Sequence, residues 1–191
     1  YTPRTLFPYT TLFRSLIVPS ACTPTLSAST VDVGRVSVKD LNQDSRTFLT
    51  PTTLTLSVNC EASTLFAMKA TDNRSDSAAA INELGIGKTA AGELIGGYWL
   101  MLSNATADTT AVQMIGSTNN GGSWFRFRED DAWGTTYLLS IAAVGAGSVP
   151  IPARDTQVAL SVKPFIHAAK DVTIGEDTLI DGSATIEVKY L

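Results

Sequence analysis

Few side chains in this sequence are of the types that carry chemistry, and their spacing favours structural roles. Cysteine occurs only at Cys22 and Cys60, and histidine only at His167. Two cysteines and one histidine do not give the ligand spacing of a zinc site. The sequence also pairs no serine or cysteine nucleophile with His167. We therefore expect no metal, no cofactor and no enzymatic activity.

The two cysteines allow two interpretations. They are either buried thiols of a cytosolic protein or a disulfide of an exported one. Cys60 ends the stretch 53–60, in which every second residue is apolar, so its side chain points towards a core. We favour the Cys22–Cys60 disulfide, and with it an exported protein.

Two short stretches carry residue types found in ligand-binding loops. Gly85-Ile-Gly-Lys-Thr89 is similar to the end of a phosphate-binding loop, but Asn82 stands where that loop requires its first glycine. Glu129-Asp-Asp131 lacks the alternating acidic pattern of a calcium-binding loop. We expect a surface turn at the first stretch and a solvated loop at the second.

The aromatic residues also allow two interpretations. Tryptophan is usually largely buried, so the three tryptophans could all belong to the core. Alternatively, an exposed aromatic ring could stack on a sugar and make the protein an adhesin for a surface glycan. Trp133 is the best candidate for such ligand stacking, because it follows Asp130-Asp-Ala132 in a predicted loop.

Composition restricts the fold class. The chain has 191 residues, of which 44% are hydrophobic and 17% charged, enough for one domain with a substantial core. A net charge of −4 does not suggest a nucleic-acid partner, which would require a basic face. No apolar run approaches the roughly 18 residues of a membrane span. Abundant Thr, Ser and Val with many turn residues predicts an all-β protein.

Alternation of apolar and polar residues predicts a series of β-strands. The predicted strands cover residues 31–38, 53–60, 64–70, 96–103, 110–115, 123–128, 137–144, 156–165 and 184–191. We assign residues 16–191 to one β-sandwich domain. Residues 1–15 are set aside as a non-native or artefactual segment, because Pro8-Tyr-Thr-Thr-Leu-Phe-Arg-Ser15 resembles a translated sequencing-adapter peptide.

The last predicted strand is the strongest and ends at the final residue. Its apolar side is formed by Ala184, Ile186, Val188 and Tyr190, and its polar side by Thr185, Glu187 and Lys189. Chain ends usually fray unless they are held. This strand must therefore be held by neighbours in its own domain or by another protein.

Several stretches together resemble the chaperone–usher pilins of Gram-negative bacteria. They are Cys22, Val31-Asp-Val-Gly34, the alternating stretch that ends at Cys60, and the penultimate Tyr190. Three more stretches are similar to a family of fimbrial-like proteins of unassigned function. These are Ala21-Cys-Thr-Pro-Thr-Leu26, Thr71-Asp-Asn-Arg74 and Asp181-Gly-Ser-Ala-Thr-Ile-Glu-Val-Lys-Tyr-Leu191.

The resemblance implies an immunoglobulin-like sandwich that lacks its last strand. A groove beside Ala184, Ile186, Val188 and Tyr190 would accept a strand from a periplasmic chaperone, which would also anchor the carboxylate of Leu191. The next pilus subunit would replace the chaperone at an outer-membrane usher. The expected location is the periplasm and then the cell surface, as a fimbrial subunit or fimbrial-like adhesin. The alternative is a stand-alone secreted carbohydrate-binding β-sandwich with all its strands.

Overall fold

The computed structural model of the chain describes residues 21–175 and 177–191, so the segment 1–15 lies outside the described residues. Within these ranges the chain is all-β, as the sequence predicts. The strands are β1 (Cys22–Leu26), β2 (Thr47–Phe48), β3 (Thr52–Thr64), β4 (Phe66–Asp72), β5 (Leu84–Gly85), β6 (Gly96–Ala107), β7 (Thr110–Ser117), β8 (Phe125–Arg126), β9 (Leu138–Ala143), β10 (Ala153–Ile166) and β11 (Ala184–Tyr190). Short 3₁₀ helices cover Val38–Asp40, Ser75–Ser77 and Ala169–Asp171. No helix in the described ranges is long and apolar enough to cross a membrane.

The strands form two antiparallel sheets that continue into each other. The first sheet has the order β1-β3-β10-β6 and the second the order β7-β9-β4-β11. The β6–β7 hairpin joins them by pairing Ala107 with Thr110. The short strands β2 and β5 extend the first sheet, and β8 extends the second. One continuous path of strands therefore begins at β1 and ends at β11.

The core lies between the two sheets and follows the period-two pattern of the sequence. In β3 the residues at every second position from Leu54 to Cys60 are buried. Leu56, Val58 and Cys60 pack in one cluster with Met68 of β4 and Leu139 of β9 from the opposite sheet. Each fully buried aliphatic side chain contributes roughly 1.5–3 kcal/mol, so this interlayer cluster is the main stabilising element.

A disulfide joins strand β1 to strand β3 in the first sheet. Cys22 and Cys60 face each other in the β1–β3 register and are bonded, with Cα atoms 4.0 Å apart and 38 residues of separation. The disulfide interpretation of the sequence is confirmed, and the interpretation as free thiols is wrong. The bond ties an edge strand of five residues to a central strand of thirteen.

The predicted strand at 31–38 is wrong. The segment is irregular and ends in the 3₁₀ helix Val38–Asp40. The reason is local, because Gly34 takes a φ of +70° and its N–H donates to the carboxylate of Asp32 at 2.8 Å. This turn interrupts the extended backbone. The valines that suggested a strand, Val31 and Val36, are half-buried along a surface groove instead.

Candidate functional site

Strand β11 pairs along one edge only. It lies antiparallel to β4 from Ala184 opposite Asp72 to Tyr190 opposite Phe66. Ser183 accepts a hydrogen bond from the Asn73 N–H at 2.9 Å, and the Leu191 N–H donates to Leu65 at 3.2 Å. Backbone groups alternate in direction along a strand. The odd-numbered residues therefore bond to β4, while the N–H and C=O groups of the even-numbered residues 184–190 point away from it, where no described strand pairs.

Strand β1 is the other end of the path of strands. The Ala21 carbonyl accepts from the Glu61 N–H at 3.0 Å, and the Ser27 N–H donates to Thr55 at 2.9 Å. By the same alternation, Cys22, Pro24 and Leu26 turn their backbone groups away from β3. Pro24 has no N–H to offer, which is a common way to protect an edge strand.

The two ends of the path meet at one point. The Cys22 N–H donates to the hydroxyl of Tyr190 at 3.0 Å, so the start of β1 lies beside the end of β11. The two borders therefore run antiparallel, and the residues after β1 face those before β11. We call this gap the seam. Its borders are residues 22–41 and, on the other side, residues 174–175 and 177–190.

Apolar side chains of the core are only partly covered along the seam. Val36 and Leu41 on one border, and Ile180, Ile186 and Val188 on the other, pack against the core but remain half-buried. At the end away from Tyr190 the seam widens into a groove of about 740 Å³ that lies between the segment 31–41 and residues 174 and 177–180, with Ile95 and Ile166 also in its lining. The seam is thus a groove beside an unpaired strand edge, with both apolar residues and the charged residues Asp32, Arg35, Asp40 and Asp177 in its lining.

The structure places the predicted groove residues on one face of β11. Ala184, Ile186, Val188 and Tyr190 stand opposite residues of β4 that are all buried, which are Asp72, Ala70, Met68 and Phe66. Ile186 and Val188 are half-buried, whereas Tyr190 is 50% and Leu191 47% exposed. A role of the Leu191 carboxylate in anchoring a chaperone stays a prediction.

Two of the stretches that carried the family resemblance pack against each other at the start of β11. Arg74 forms an ion pair with Asp181. The Asn73 amide donates to the hydroxyls of Ser183 at 3.0 Å and Thr185 at 3.1 Å. No local sequence pattern predicts that 71–74 and 181–185 come together, since they lie far apart in the chain. Their contacts fix where β11 begins.

Gly182 allows the chain to cross the buried Tyr98 at this point. A Cβ atom at position 182 would lie 2.8 Å from the Tyr98 ring, closer than packed side chains approach. Tyr98 is 7% exposed, and burial followed by the nearby Asp72 carboxylate raises the pKa of its hydroxyl. The phenol therefore stays neutral, as a ring in the core should.

The tyrosine that closes the seam gives a first testable prediction. Tyr190→Phe removes the acceptor of the Cys22 N–H, and we expect the free energy of unfolding to fall by about 0.5–1.5 kcal/mol. Urea unfolding followed by fluorescence measures the change. Tyr137→Phe is the matched control, because the Tyr137 hydroxyl has no hydrogen bond within the described residues. Equal effects of the two substitutions would contradict the bridging role of Tyr190.

A carboxylate fastens the segment that leads into the seam. Glu93 accepts hydrogen bonds from the Thr173 N–H at 2.6 Å and the Thr173 hydroxyl at 2.9 Å. The Thr89 hydroxyl donates to the same carboxylate at 3.1 Å. The Thr173 N–H, followed by the Thr173 and Thr89 hydroxyls, lowers the pKa of Glu93 below its ordinary 4.5. These bonds require the charged form.

The Glu93 contacts predict a pH dependence with a defined sign. A depressed pKa in the folded state means that the contribution to stability is complete above pH 4.5 and is lost as the pH falls through the folded value. Glu93→Gln should therefore lower the urea midpoint at pH 7 and lose this effect near pH 3. Glu61→Gln, at an exposed position, is the control. A deficit of Glu93→Gln that is the same at pH 7 and pH 3 would contradict the prediction.

Trp133 cannot stack on a ligand as the sequence suggested. Its side chain is 0% exposed and belongs to the core cluster. Its N–H donates to Leu100 of β6 at 2.8 Å, and its indole N–H donates to the Tyr137 carbonyl at 3.3 Å. The loop folds back over β6, so the acidic residues before Trp133 face solvent while the ring turns inward. The core interpretation holds for this tryptophan.

Gly85-Ile-Gly-Lys-Thr89 runs from the end of β5 to the start of a turn at 89–92 and forms no phosphate cradle. Lys88 pairs with Leu94 across this turn, and its ammonium contacts the Asp76 carboxylate at 3.1 Å. A Cβ at Gly85 would lie 2.1 Å from the Ser77 hydroxyl oxygen. The stretch lies largely below the surface, with Ile86 2% and Thr89 6% exposed, so the surface turn predicted from the sequence is wrong, and its first glycine serves close packing.

An aromatic cluster on the outer face of the first sheet was not identified from the sequence. It contains Phe48, Trp99, Phe165 and His167, with Arg46 and Glu83. Phe165 is fully buried, yet it is absent from the interlayer core. One signal was available, because Phe165 is out of phase with Val158, Leu160 and Val162 of the same strand. We call this group the outer cluster.

Comparison with known families gives one match. Residues 14–123 match the model described as "Protein of unknown function (DUF1120)", and this range covers more than half of the chain. The chain belongs to the DUF1120 family. A search of curated proteins finds no match.

The range of the DUF1120 match includes only one of the two borders of the seam. Its range contains β1 and the segment 27–41, which form one border, and ends between β7 and β8. The opposite border, β11 with the residues before it, lies outside the match. Arg46, Phe48, Glu83 and Trp99 of the outer cluster lie within it.

Proposed function

We propose that this chain is a structural subunit of a fimbrium, or a fimbrial-like adhesin, that another polypeptide completes by donating a strand. One observation supports the proposal above the others. The outward edge of β11 has no partner strand among the described residues, and half-buried Ile186 and Val188 lie beneath it. A strand added there would bond to the free backbone groups and cover the apolar side chains.

The chemistry of the edge supports an external partner. An unpaired strand over apolar side chains promotes aggregation unless it is covered. β11 has no proline that would prevent pairing. Its charged residues Glu187 and Lys189 form an ion pair with each other at 2.9 Å, so neither is left as an unpaired charge that would repel an incoming strand. A periplasmic chaperone that covers this edge first, and a neighbouring subunit that covers it later at an outer-membrane usher, would meet the same physical need.

The disulfide supports the proposed route. Disulfides form in oxidising compartments such as the bacterial periplasm. The Cys22–Cys60 bond fixes β1, and so one border of the seam, before any strand is donated. Export followed by display at the cell surface is therefore part of the proposal.

Peptide capture tests the proposal. The full chain is titrated with a fluorescent peptide of about ten residues with alternating valine and threonine, long enough to pair with a strand. Saturable binding, measured by anisotropy, is the expected result. Two controls are a scrambled peptide of the same composition and a peptide N-methylated at every residue, which has no backbone N–H to donate.

The controls separate strand addition from simple apolar binding. Strand addition predicts that the N-methylated peptide fails and that the scrambled peptide binds much more weakly. Equal binding of all three peptides, or binding of none, contradicts the proposal.

The second candidate function is a self-complete carbohydrate-binding sandwich. The observation that favours it is the hydrogen bond between Cys22 and Tyr190, which already bridges the two borders at one end of the seam. It predicts a chain that folds cooperatively, stays monomeric and ignores all three peptides. Size-exclusion chromatography and urea unfolding of the full chain without peptide distinguish the two candidates.

A further inference from the structure

The outer cluster lies on the solvent side of the first sheet, away from the seam. Phe48 of β2 stands opposite Phe165 of β10, and Phe165 stands opposite Gly97 of β6. Because Gly97 has no side chain, the Phe165 ring can reach across to Trp99. A Cβ at position 97 would lie 3.0 Å from the Phe165 ring. Three aromatic rings from three neighbouring strands therefore meet on one face of the sheet, with interplanar angles of 43°, 49° and 61°.

The rings form a platform with one well-exposed member. Ring centroids are 5.6 Å apart for Phe48 and Trp99 and 5.2 Å apart for Trp99 and Phe165. Phe48 is 59% exposed and Trp99 is half-buried, whereas Phe165 is covered. An exposed aromatic ring at the edge of a rigid platform offers a hydrophobic face to a ligand.

A guanidinium is fixed beside this platform. The Arg46 Cζ lies 4.4 Å from the Phe165 centroid and 5.9 Å from that of Trp99. One guanidinium nitrogen contacts the Glu83 carboxylate at 2.6 Å. Glu83 is 6% exposed while the Arg46 side chain is 36% exposed, so the buried carboxylate holds the arginine from below and leaves it accessible. An arginine fixed in this way is suited to binding a carboxylate.

Two cationic side chains lie near Trp99. Lys163 stands directly opposite Trp99 in the β6–β10 register, so its side chain leaves the sheet on the same face. The cations of this face are Arg46 and Lys163, and the nearby acidic groups are the buried Glu83 and Asp171, both of which act on His167. Burial, followed by the nearby Arg46 charge, lowers the pKa of His167, which keeps that ring neutral near pH 7.

The cluster also has unused hydrogen-bonding capacity. Glu83 Oε2 and Trp99 Nε1 are buried and have no hydrogen-bond partner. Buried polar atoms without a partner are rare and are usually satisfied by water or a ligand. Because both atoms lie beneath the surface, only a bridging water would connect them to a hydroxyl group of a bound sugar.

We propose that the outer cluster binds an acidic saccharide, a pyranose that carries a carboxylate. The apolar face of the sugar ring stacks on Phe48 and the accessible part of Trp99. The carboxylate lies against Arg46, with Lys163 beside it. This site is independent of strand donation, because none of its residues lies on β1 or β11.

The indole N–H signals of the ¹⁵N-labelled full chain test the proposal by NMR. Trp99→Phe assigns the signal of Trp99. The probes are glucuronic acid, galacturonic acid and N-acetylneuraminic acid, with glucose as a ring without a carboxylate. Acetate and inorganic phosphate serve as anions without a ring. The expected result is a saturable shift of the Trp99 signal with at least one acidic sugar and no saturable shift with glucose, acetate or phosphate.

Variants then assign the contacts. Phe48→Ala should weaken the binding about fivefold, the value of one stacking contact. Phe125→Ala, which removes a 41% exposed ring on the second sheet, should leave it unchanged. Arg46→Met should weaken it more than tenfold, as expected for loss of a charge-assisted hydrogen bond. If the dispersion of the NMR spectrum shows that Arg46→Met does not fold, Arg46→Lys replaces it, because lysine keeps the charge but loses the planar fork.

Three results would overturn the proposal. The first is the absence of a saturable shift with every acidic sugar. The second is a shift with acetate or phosphate equal to that with the acidic sugars, which would mean non-specific anion binding. The third is an equal loss of affinity in Phe48→Ala and Phe125→Ala. Failure of peptide capture at the seam would leave this site unaffected, and the reverse is also true.

Discussion

Replacing Cys22 and Cys60 together by serine is expected to lower the free energy of unfolding by about 4 kcal/mol. The bond closes a loop of 38 residues, for which the chain-entropy relation gives this value. Native domains have a net stability of roughly 5–15 kcal/mol, so the loss is a large fraction of the total. The effect also reaches the seam, because β1 is an edge strand of five residues that pairs only with β3 among the described residues.

Urea unfolding with and without a reducing agent measures this effect. The oxidised chain, the reduced chain and the Cys22→Ser/Cys60→Ser variant are compared at one pH and temperature. The reduced chain and the variant should unfold at similar, lower urea concentrations, and the variant should not respond to the reductant. Coincident midpoints of the oxidised and reduced chains would contradict a stabilising role of the bond.

Ile186→Asp is expected to abolish peptide capture at the seam, with a loss of affinity of at least about a hundredfold. Ile186 stands opposite the fully buried Ala70 and packs on the core from a half-buried position. In the free chain an aspartate at this position still reaches water. A donated strand would cover it and enclose an unpaired charge, which costs several kcal/mol.

Thr185→Asp is the matched control for this substitution. Thr185 is the preceding residue of β11, is exposed and points to the opposite face, towards Thr71. The substitution Thr185→Asp introduces the same charge on the same strand but on the face away from the seam. We therefore expect the affinity for the peptide to change little. Circular dichroism and urea unfolding confirm that both variants are folded. Equal loss of binding in both variants, or retained binding in Ile186→Asp, would show that the seam is not the site.

Much of the fold was predictable because burial in a sandwich produces a period of two. The alternations 53–60 and 184–191 predicted β3 and β11, with Cys60 and Ile186 on the correct faces. The same rule predicted a strand at 31–38, where the turn at Gly34 prevents one. Alternation shows that apolar side chains share one side of the chain, but it does not show that a neighbouring strand is present to pair with it.

The candidate sites were less predictable, because they depend on contacts between distant residues. No local pattern relates Cys22 to Tyr190, or the stretch 71–74 to 181–185. Trp133 shows the limit of reading exposure from neighbours, since acidic residues precede a ring that is completely buried. The outer cluster combines single residues from β2, β6 and β10, which become neighbours only through the strand order.

Amide hydrogen exchange along β11 tests the central claim of an open edge most directly. The outward N–H groups belong to Ile186, Val188 and Tyr190, and the groups bonded to β4 belong to Thr185, Glu187 and Lys189. In the full chain alone, the outward groups should exchange much faster than the others. Addition of the alternating peptide should protect the outward set and leave the other set unchanged. Strong protection of Ile186 and Val188 in the chain without peptide would mean that the edge is already occupied, and it would contradict the proposal of strand donation.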